Sequence, residues 1–475
     1  MKLASLLLFT IISQLAIAQY KQAERLKNQS SLDIDKNFSI YKADALQIYH
    51  HAELGYQEYK SSALLKDRLR SNGFVIDTVL QMPTAFVASY GSGKPVIAIL
   101  AEYDALPGFS QQVSTVKQPN PKQSNGHACG HHLFGVGSVA AGIEIKKLIA
   151  QGKLKGTVKI YGCPAEEGGS GKVYLVRDGF FKDVDVALHW HPSARNRVIT
   201  TDALANISAK FRFKGVSSHA SASPQRGRSA LDGVEAMNFM VNMMREHIPQ
   251  EARIHYIITD GGKAPNVVPD FAEVYYYVRY PDKEQARELF NRVVSCAKGA
   301  ALGTETSVEH EIIGGTHDLL LNISLAKLMY KNLEMVGGIN YTTTEFSFAQ
   351  ELSKTLNREL IVPNKVETFS LLKESTNGST DVGDVSYTIP TVGVNTATWV
   401  PGVAAHSWQA VACGGTDIAI KGTVNAIKTM VYTAIDLYTQ PKHIEAAKLE
   451  FNHALKNYQY KPLLGDRAPA LNYRD

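Results

Sequence analysis

The sequence predicts an α/β protein with a mainly parallel sheet, interrupted by a ferredoxin-like β-α-β-β-α-β insertion. Three observations carry this reading. Up to about residue 204, short apolar runs alternate with amphipathic helical stretches, the rhythm of strands joined by helical crossovers. From about Ala205 the period falls to two, and strand, helix, strand, strand, helix and strand follow within about 110 residues. Near Ser324 the first rhythm resumes and runs to the helical stretch "GTVNAIKTMVYTAIDLY". A chain of 475 residues is also too long for one ordinary core, so at least two domains are expected.

The first element is not part of this fold. "MKLASLLLFTIISQLAIAQY" has one early lysine, an apolar run from Leu6 to Ile12 and the small-residue sequence Ala16-Ile17-Ala18. That layout predicts a signal peptide over residues 1–18, cleaved after Ala18 to leave an exported protein with no membrane segment. The catalytic domain is then expected over 19–204 and 316–475, with the insertion at 205–315.

The elements follow in order. "YKADALQIYHHAELGYQEYKSSALLKDRLRSNGF" repeats apolar residues at three and four and reads as one continuing helical segment, stopped by Gly73. "KPVIAILAEYDALPG" reads as a buried strand ending at Asp104, and "VGSVAAGIEIKKLIAQG" as a helix. "GTVKIYGCPAEEGG" reads as a strand with its exit loop, and "VDVALHWHP" as another strand. Within the insertion, "ANISAKFRFKG", "RIHYIITDGG", "EVYYYVRYP" and "TSVEHEIIGG" are strands, while "SALDGVEAMNFMVNMMREHI" and "DKEQARELFNRVVSCAKGAAL" are helices. "PTVGVNTATWV" is the last strand of the α/β part. The polar tail after about Gln440 is expected to pack loosely.

Composition excludes some classes. Net charge is +5, with 20% charged residues dispersed along the chain and no basic block, which gives no footprint for nucleic acid. Four scattered cysteines, Cys129, Cys163, Cys296 and Cys413, do not make a disulfide framework. Cys129 lies among histidines in "SNGHACGHHLFGVG", which favours a ligand thiolate.

The residues with chemistry cluster at predicted strand ends, where open parallel sheets form their sites. Asp104 ends one strand, Glu166 and Glu167 another, and His191 a third. Cys129 and His131 precede a helix, and His406 follows the last strand. Thiolate, imidazole and carboxylate together suit zinc, manganese or cobalt rather than magnesium or calcium. Cys129, His131, Glu167, His191 and His406 are more donors than one tetrahedral ion needs, so two ions sharing Cys129 or a water are expected. Adjacent carboxylates at a strand exit point apart, so one can bind a metal while the other faces the substrate as a general base. The motifs HExxH and GxSxG are absent, and "GGSGK" lacks the earlier glycine and the following Ser/Thr of a phosphate loop. Two rivals stay open. Cys129 could be a nucleophile paired with His127 or His131, giving a thiol amidase. Alternatively, the chain could be a periplasmic metal- or ligand-binding protein with an inactive site.

"NGHACGHHLFG", "CPAEEGGSGK", "LHWHP", "FKGVSSHAS" and "AHSWQ" resemble the M20 metallopeptidases, in the branch of amidohydrolases that includes the aminobenzoyl-glutamate hydrolases and related dipeptidases. "GRSALDGVEAMNFM", "GGKAPNVVPD" and "STDVGDVSYTIP" look most like the aminobenzoyl-glutamate group. The resemblance covers nearly the whole mature chain. It implies a zinc-peptidase-like catalytic domain with two divalent ions and a lid that also forms a homodimer. It further implies cleavage of the amide bond of an N-acyl amino acid or dipeptide. Residue by residue, it carries metal binding to Cys129, His131, Glu167, His191 and His406, and the general base to Glu166. "HWHP" offers both His189 and His191; the spacing from Asp185 in the family favours His191. The role of His132, where many relatives carry Asp, is left open. Asp104 corresponds to a residue that orients a ligand histidine. His219 corresponds to a histidine that reaches the partner protomer's site and stabilises the oxyanion. Asn266 and Arg279 look like holders of a substrate carboxylate.

Overall fold

A computed structural model describes residues 21–371 and 378–474. The expected signal segment, residues 1–18, lies outside the described residues.

The larger sheet has seven strands: β1 (Val75–Thr78), β2 (Phe86–Ser92), β3 (Val96–Ala101), β4 (Gly156–Gly162), β5 (Val186–Ser193), β6 (Arg197–Val198) and, after the insertion, β11 (Thr391–Ala397). Their spatial order is β1-β2-β4-β3-β5-β11-β6. The four central strands, β4-β3-β5-β11, run parallel, and antiparallel strands flank them on both sides. The centre is buried on both faces, so β3 reads as an unbroken apolar run, "VIAILA".

Helices cover both faces. His131–Ala150 and Asp417–Thr439 pack on one side together with Phe38–His51. Gly171–Arg177 and Val382–Ser386 pack on the other. The long helix His131–Ala150 approaches the sheet closely at Gly137, where a Cβ would lie 2.8 Å from the ring of the fully buried Trp190. That indole donates to the Phe134 carbonyl at 3.2 Å.

The insertion supplies β7 (Ala205–Lys214), β8 (Arg253–Asp260), β9 (Phe271–Tyr280) and β10 (Ser307–Thr316) in an antiparallel sheet ordered β8-β9-β7-β10. Helices Ala230–Met244 and Lys283–Gly303 lie on one face, around a core with Phe211, Phe213, Val234, Val274 and Phe290. This is the β-α-β-β-α-β order expected of a ferredoxin-like unit.

Two expectations are corrected. The first helical segment is not continuous: Phe38–His51 stops at Ala52, which is left-handed (φ 41°), and a new helix starts at Tyr59. Glu53 in the break accepts the backbone N–H groups of Lys60 and Ser61, each at 2.9 Å, and so caps the second helix. The tail does not pack loosely either. Lys442–Ala454 is a helix, and Leu463, Leu464 and Tyr473 are buried. Leu463 and Leu464 fit against Gly315 at the junction of insertion and sheet, where a side chain would clash. Apolar residues at three well-placed points outweigh a polar average.

Candidate active site

A cavity of ≈ 850 Å³ opens at the carboxyl ends of the central strands, between the sheet and the insertion, and is lined by Cys129, Glu166, Glu167, His191, His406 and Arg279 among others. The candidate side chains come to its wall, or in the case of Asp104 and His131 lie buried behind it, by local routes. Strand β3 delivers Glu102 and Asp104 just past its end, and β4 leads into the turn with Glu166 and Glu167. Strand β5 carries His191, and His131 opens the helix that follows Cys129. His406 sits left-handed (φ 57°), its N–H tied to the Ala128 carbonyl at 2.9 Å. A non-glycine residue in that region is strained, and such strain collects at functional sites.

The hydrogen bonds fix the tautomers. His131 Nδ1–H donates to Asp104 Oδ1 at 2.8 Å, and His191 Nδ1–H donates to the Pro192 carbonyl at 2.7 Å. Each Nε2 is thereby left with a lone pair for a ligand. His191 Nε2 lies 3.5 Å from Cys129 Sγ, and His406 Nε2 lies 3.1 Å from Glu167 Oε1. Asp104 also accepts the Glu167 N–H at 2.9 Å, so one carboxylate orients two of the candidate ligands.

Two donor groups emerge, Cys129–His131–His191 and Cys129–Glu167–His406; within each, the donor atoms lie within 4.8 Å of one another. They share Cys129. Sulfur, imidazole and carboxylate in this mix fit divalent transition metals, so this face of the sheet is a site for divalent metal.

Electrostatics separates the two adjacent glutamates. Burial, the charge of Glu102 and that of Glu167 push the Glu166 carboxyl well above its usual range. Burial acts on Glu167 in the same direction, but the hydrogen bond from His406 and the charge of His131 hold it below. Burial pushes the Cys129 thiol up.

His189 lies two residues before His191 on β5 and also borders the cavity. Its ring fills the space over Gly393, and burial lowers its pKa to about 3. His132 donates to the Gly414 carbonyl at 3.0 Å and packs against Tyr49 and His127, while His127 donates to the Ile48 carbonyl at 3.1 Å. Neither His132 nor His127 lines the cavity.

The insertion contributes unevenly. Arg279 lines the cavity and donates to Ser379 Oγ at 3.3 Å, with its guanidinium 5.4 Å from the Tyr277 ring centre. His219 and Asn266 do not line it. They are exposed and adjacent to each other: His219 bridges to Val267, and the Ala220 N–H donates to the Asn266 carbonyl.

Sequence reading missed four residues. Glu102 lies 3.2 Å from His131 Nε2, and its other oxygen is 2.6 Å from Lys172 Nζ. Lys172 also pairs with Asp381 at 2.6 Å, all three being at most 1% exposed. Glu102 stands two residues before Asp104, the one signal that could have revealed it. Arg474, from the tail, lines the cavity and donates to the Glu167 carbonyl.

Similarity to known proteins agrees with this architecture. Residues 205–305 match the family model described as a peptidase dimerisation domain of the M20 type. The chain is 39% identical to one of the subunits of p-aminobenzoyl-glutamate hydrolase from Escherichia coli, over 90% of this chain and 95% of that one. It is 28% identical to human Xaa-Arg dipeptidase, over 92% and 95%. Among solved structures, it resembles a dinuclear metal-binding peptidase of the M20 family from Bacillus subtilis (TM-score 0.55, 18% identity, 85% of this chain and 99% of that one). It also resembles an aminobenzoyl-glutamate utilization protein from Klebsiella pneumoniae (TM-score 0.57, 18% identity, 83% and 97%). With a dimerisation module inserted into a sheet whose strand ends gather these donors, the chain belongs to the M20 family of hydrolases.

Proposed function

We propose that this chain is an exported, homodimeric amidohydrolase with two divalent ions, zinc or manganese with cobalt as a substitute, that cleaves the amide bond of an N-acyl amino acid or dipeptide. The observation that carries the reading is the pair of donor groups sharing Cys129, with Glu166 beside them in one cavity.

Cys129, His131, Glu167, His191 and His406 hold the ions, and Asp104 aims His131. When bound, the ions polarise a carbonyl and acidify water. Glu166 takes the proton of the attacking water and passes it to the leaving amine. Arg279 faces the cavity as a partner for the carboxylate of the amino-acid half. Asn266 and the partner's His219 complete the site from a second copy, His219 donating to the oxyanion. Apolar side chains are exposed on the insertion, Phe239 and Met243 on its first helix and Ile257 and Ile258 on the edge strand β8, as a dimer surface requires. Among the described residues no helix is long and apolar enough to cross a membrane.

The geometry disfavours a thiol amidase. His127 is turned to the Ile48 carbonyl and His131 Nδ1 to Asp104, and burial outweighs the lowering effect of His131 to push the Cys129 thiol up rather than activate it.

The test is chelation followed by separate re-addition of Zn, Mn or Co. The substrates are N-acyl amino acids, 4-aminobenzoyl-glutamate and dipeptides ending in arginine. Turnover should disappear with the metal and return with it. Activity that survives chelation and dies with iodoacetamide would establish the thiol mechanism instead. Stoichiometric metal binding without turnover of any substrate would leave a binding protein.

A further inference from the structure

The buried triad Glu102–Lys172–Asp381 touches the donor cluster, yet the ligand set proposed above does not use it. Lys172 Nζ sits 2.6 Å from Glu102 Oε1 and 2.6 Å from Asp381 Oδ1, and Asp381 Oδ2 accepts the Lys172 N–H at 2.9 Å. Two carboxylates face one ammonium where all three side chains are at most 1% exposed, at the wall of the cavity, so with both carboxylates ionised the triad alone carries one uncompensated negative charge. Buried charge of that kind is costly unless a cation meets it.

The free oxygen shows where that cation belongs. Glu102 Oε2 and His131 Nε2 make no hydrogen bond, and both are fully buried. They face each other at 3.2 Å. His131 Nδ1 is already committed to Asp104, so Nε2 is the metal-facing nitrogen. A separation of 3.2 Å is what two donor atoms have when each is about 2.1 Å from a single ion, at an angle near 100°. Glu102, His131 and Glu166 also form a third compact donor group.

We infer that Glu102 is a further ligand, binding the same ion as His131, and that Lys172 and Asp381 fix its carboxylate in place. The inference rests on the two-metal reading above. It gives this ion four protein donors, Cys129, His131, His191 and Glu102, against three, Cys129, Glu167 and His406, at the other, so the two sites differ in affinity.

The experiment uses the full chain, stripped of metal and titrated with Zn(II) alone, with bound metal counted after equilibrium dialysis. Wild type should bind two ions per chain. Glu102→Gln should weaken one of them by about ten- to a hundredfold or more and leave the other unchanged. Loading with Co(II) should shift the visible d–d bands of the variant relative to wild type. Glu102→Asp keeps the charge that Lys172 needs and shortens the reach by one methylene; it should show the same selective loss if Glu102→Gln does not fold. Two tight ions in a folded variant overturn the inference and leave the two-metal reading intact. Weakened affinity with unchanged Co(II) bands also overturns it, because Glu102 then acts only through His131. A wild type that binds no metal overturns both.

Discussion

The two halves of the candidate site differ in how completely one chain builds them. On the sheet side, residues between 102 and 406 converge within hydrogen-bond or ligand spacing: Glu102 and His131 are buried, Cys129, Glu166, Glu167 and His191 partly so, and His406 is exposed. On the insertion side Asn206, Tyr277 and Arg279 line the cavity, while His219 and Asn266 stay exposed outside it. Parallel strands ending on one edge bring their exit loops together as a consequence of topology. A loop on an inserted module gains a target only from a second copy or from closure of the module. The sheet side should therefore respond to substitution as a property of the monomer, and the insertion side as a property of the assembly.

The largest effect tests the sheet side. Glu166→Gln removes the proton acceptor and keeps the shape, so kcat should fall by about 10²–10⁴ while metal content measured on the same sample is unchanged. A variant that turns over normally would remove Glu166 from the chemistry.

The next test addresses the insertion side. His219→Ala should lower kcat by about 10²–10³ if it supplies an oxyanion donor. Mixing it with Glu166→Gln chains then separates the two halves. In a random mixture one active site in about four pairs an intact Glu166 with an intact His219 from the other chain, so activity should return to about a quarter of wild type. If both residues acted within one chain, the mixture would stay inactive.

Arg474 gives a smaller effect at the boundary between the halves. Its guanidinium holds the Glu167 carbonyl, and Asp104 holds the N–H of the same residue. A charge-assisted hydrogen bond of this kind contributes about 1.5–3 kcal/mol, so Arg474→Ala should cost about ten- to a hundredfold in kcat/KM. Arg474→Lys should recover part of it. Equal loss in both variants would point to the tail's packing rather than to this contact.

The sequence made the sheet side legible because its residues carry local signals. Two carboxylates in a row, a Cys-x-His before a helix and a His before a proline each stand at a recognisable strand exit. The insertion's period and element order were equally readable. What stayed hidden depends on long-range pairing. Lys172 looked like the end of a failed phosphate loop, because its partner Asp381 lies 209 residues away. Arg474 belonged to a tail whose polar average concealed Leu463, Leu464 and Tyr473. Glu102 was overshadowed by Asp104, although both leave the same strand.

The smallest effect on activity, and the clearest on stability, concerns Glu58, which supports the turn from behind. Its carboxyl accepts the Ala165 N–H at 2.8 Å and the Thr84 hydroxyl at 2.9 Å, and it is fully buried. Burial, then the charge of Asp104, raises its pKa from 4.5 to about 8. An acid whose folded pKa is raised binds its proton more tightly in the folded state. Its contribution to stability is therefore complete below the unfolded value and is lost as pH rises through the folded one. Glu58→Gln mimics the protonated form and cannot ionise, so it keeps an acceptor for Ala165 while removing this titration. Between pH 4.5 and about 8 the unfolding free energy of the variant should gain on wild type with rising pH, by at most about 1.4 kcal/mol per pH unit. Denaturant unfolding of both proteins across that range measures the gap. A constant gap would mean that Glu58 is ionised throughout, and that the support behind the Glu166–Glu167 turn is an anion rather than a neutral acid.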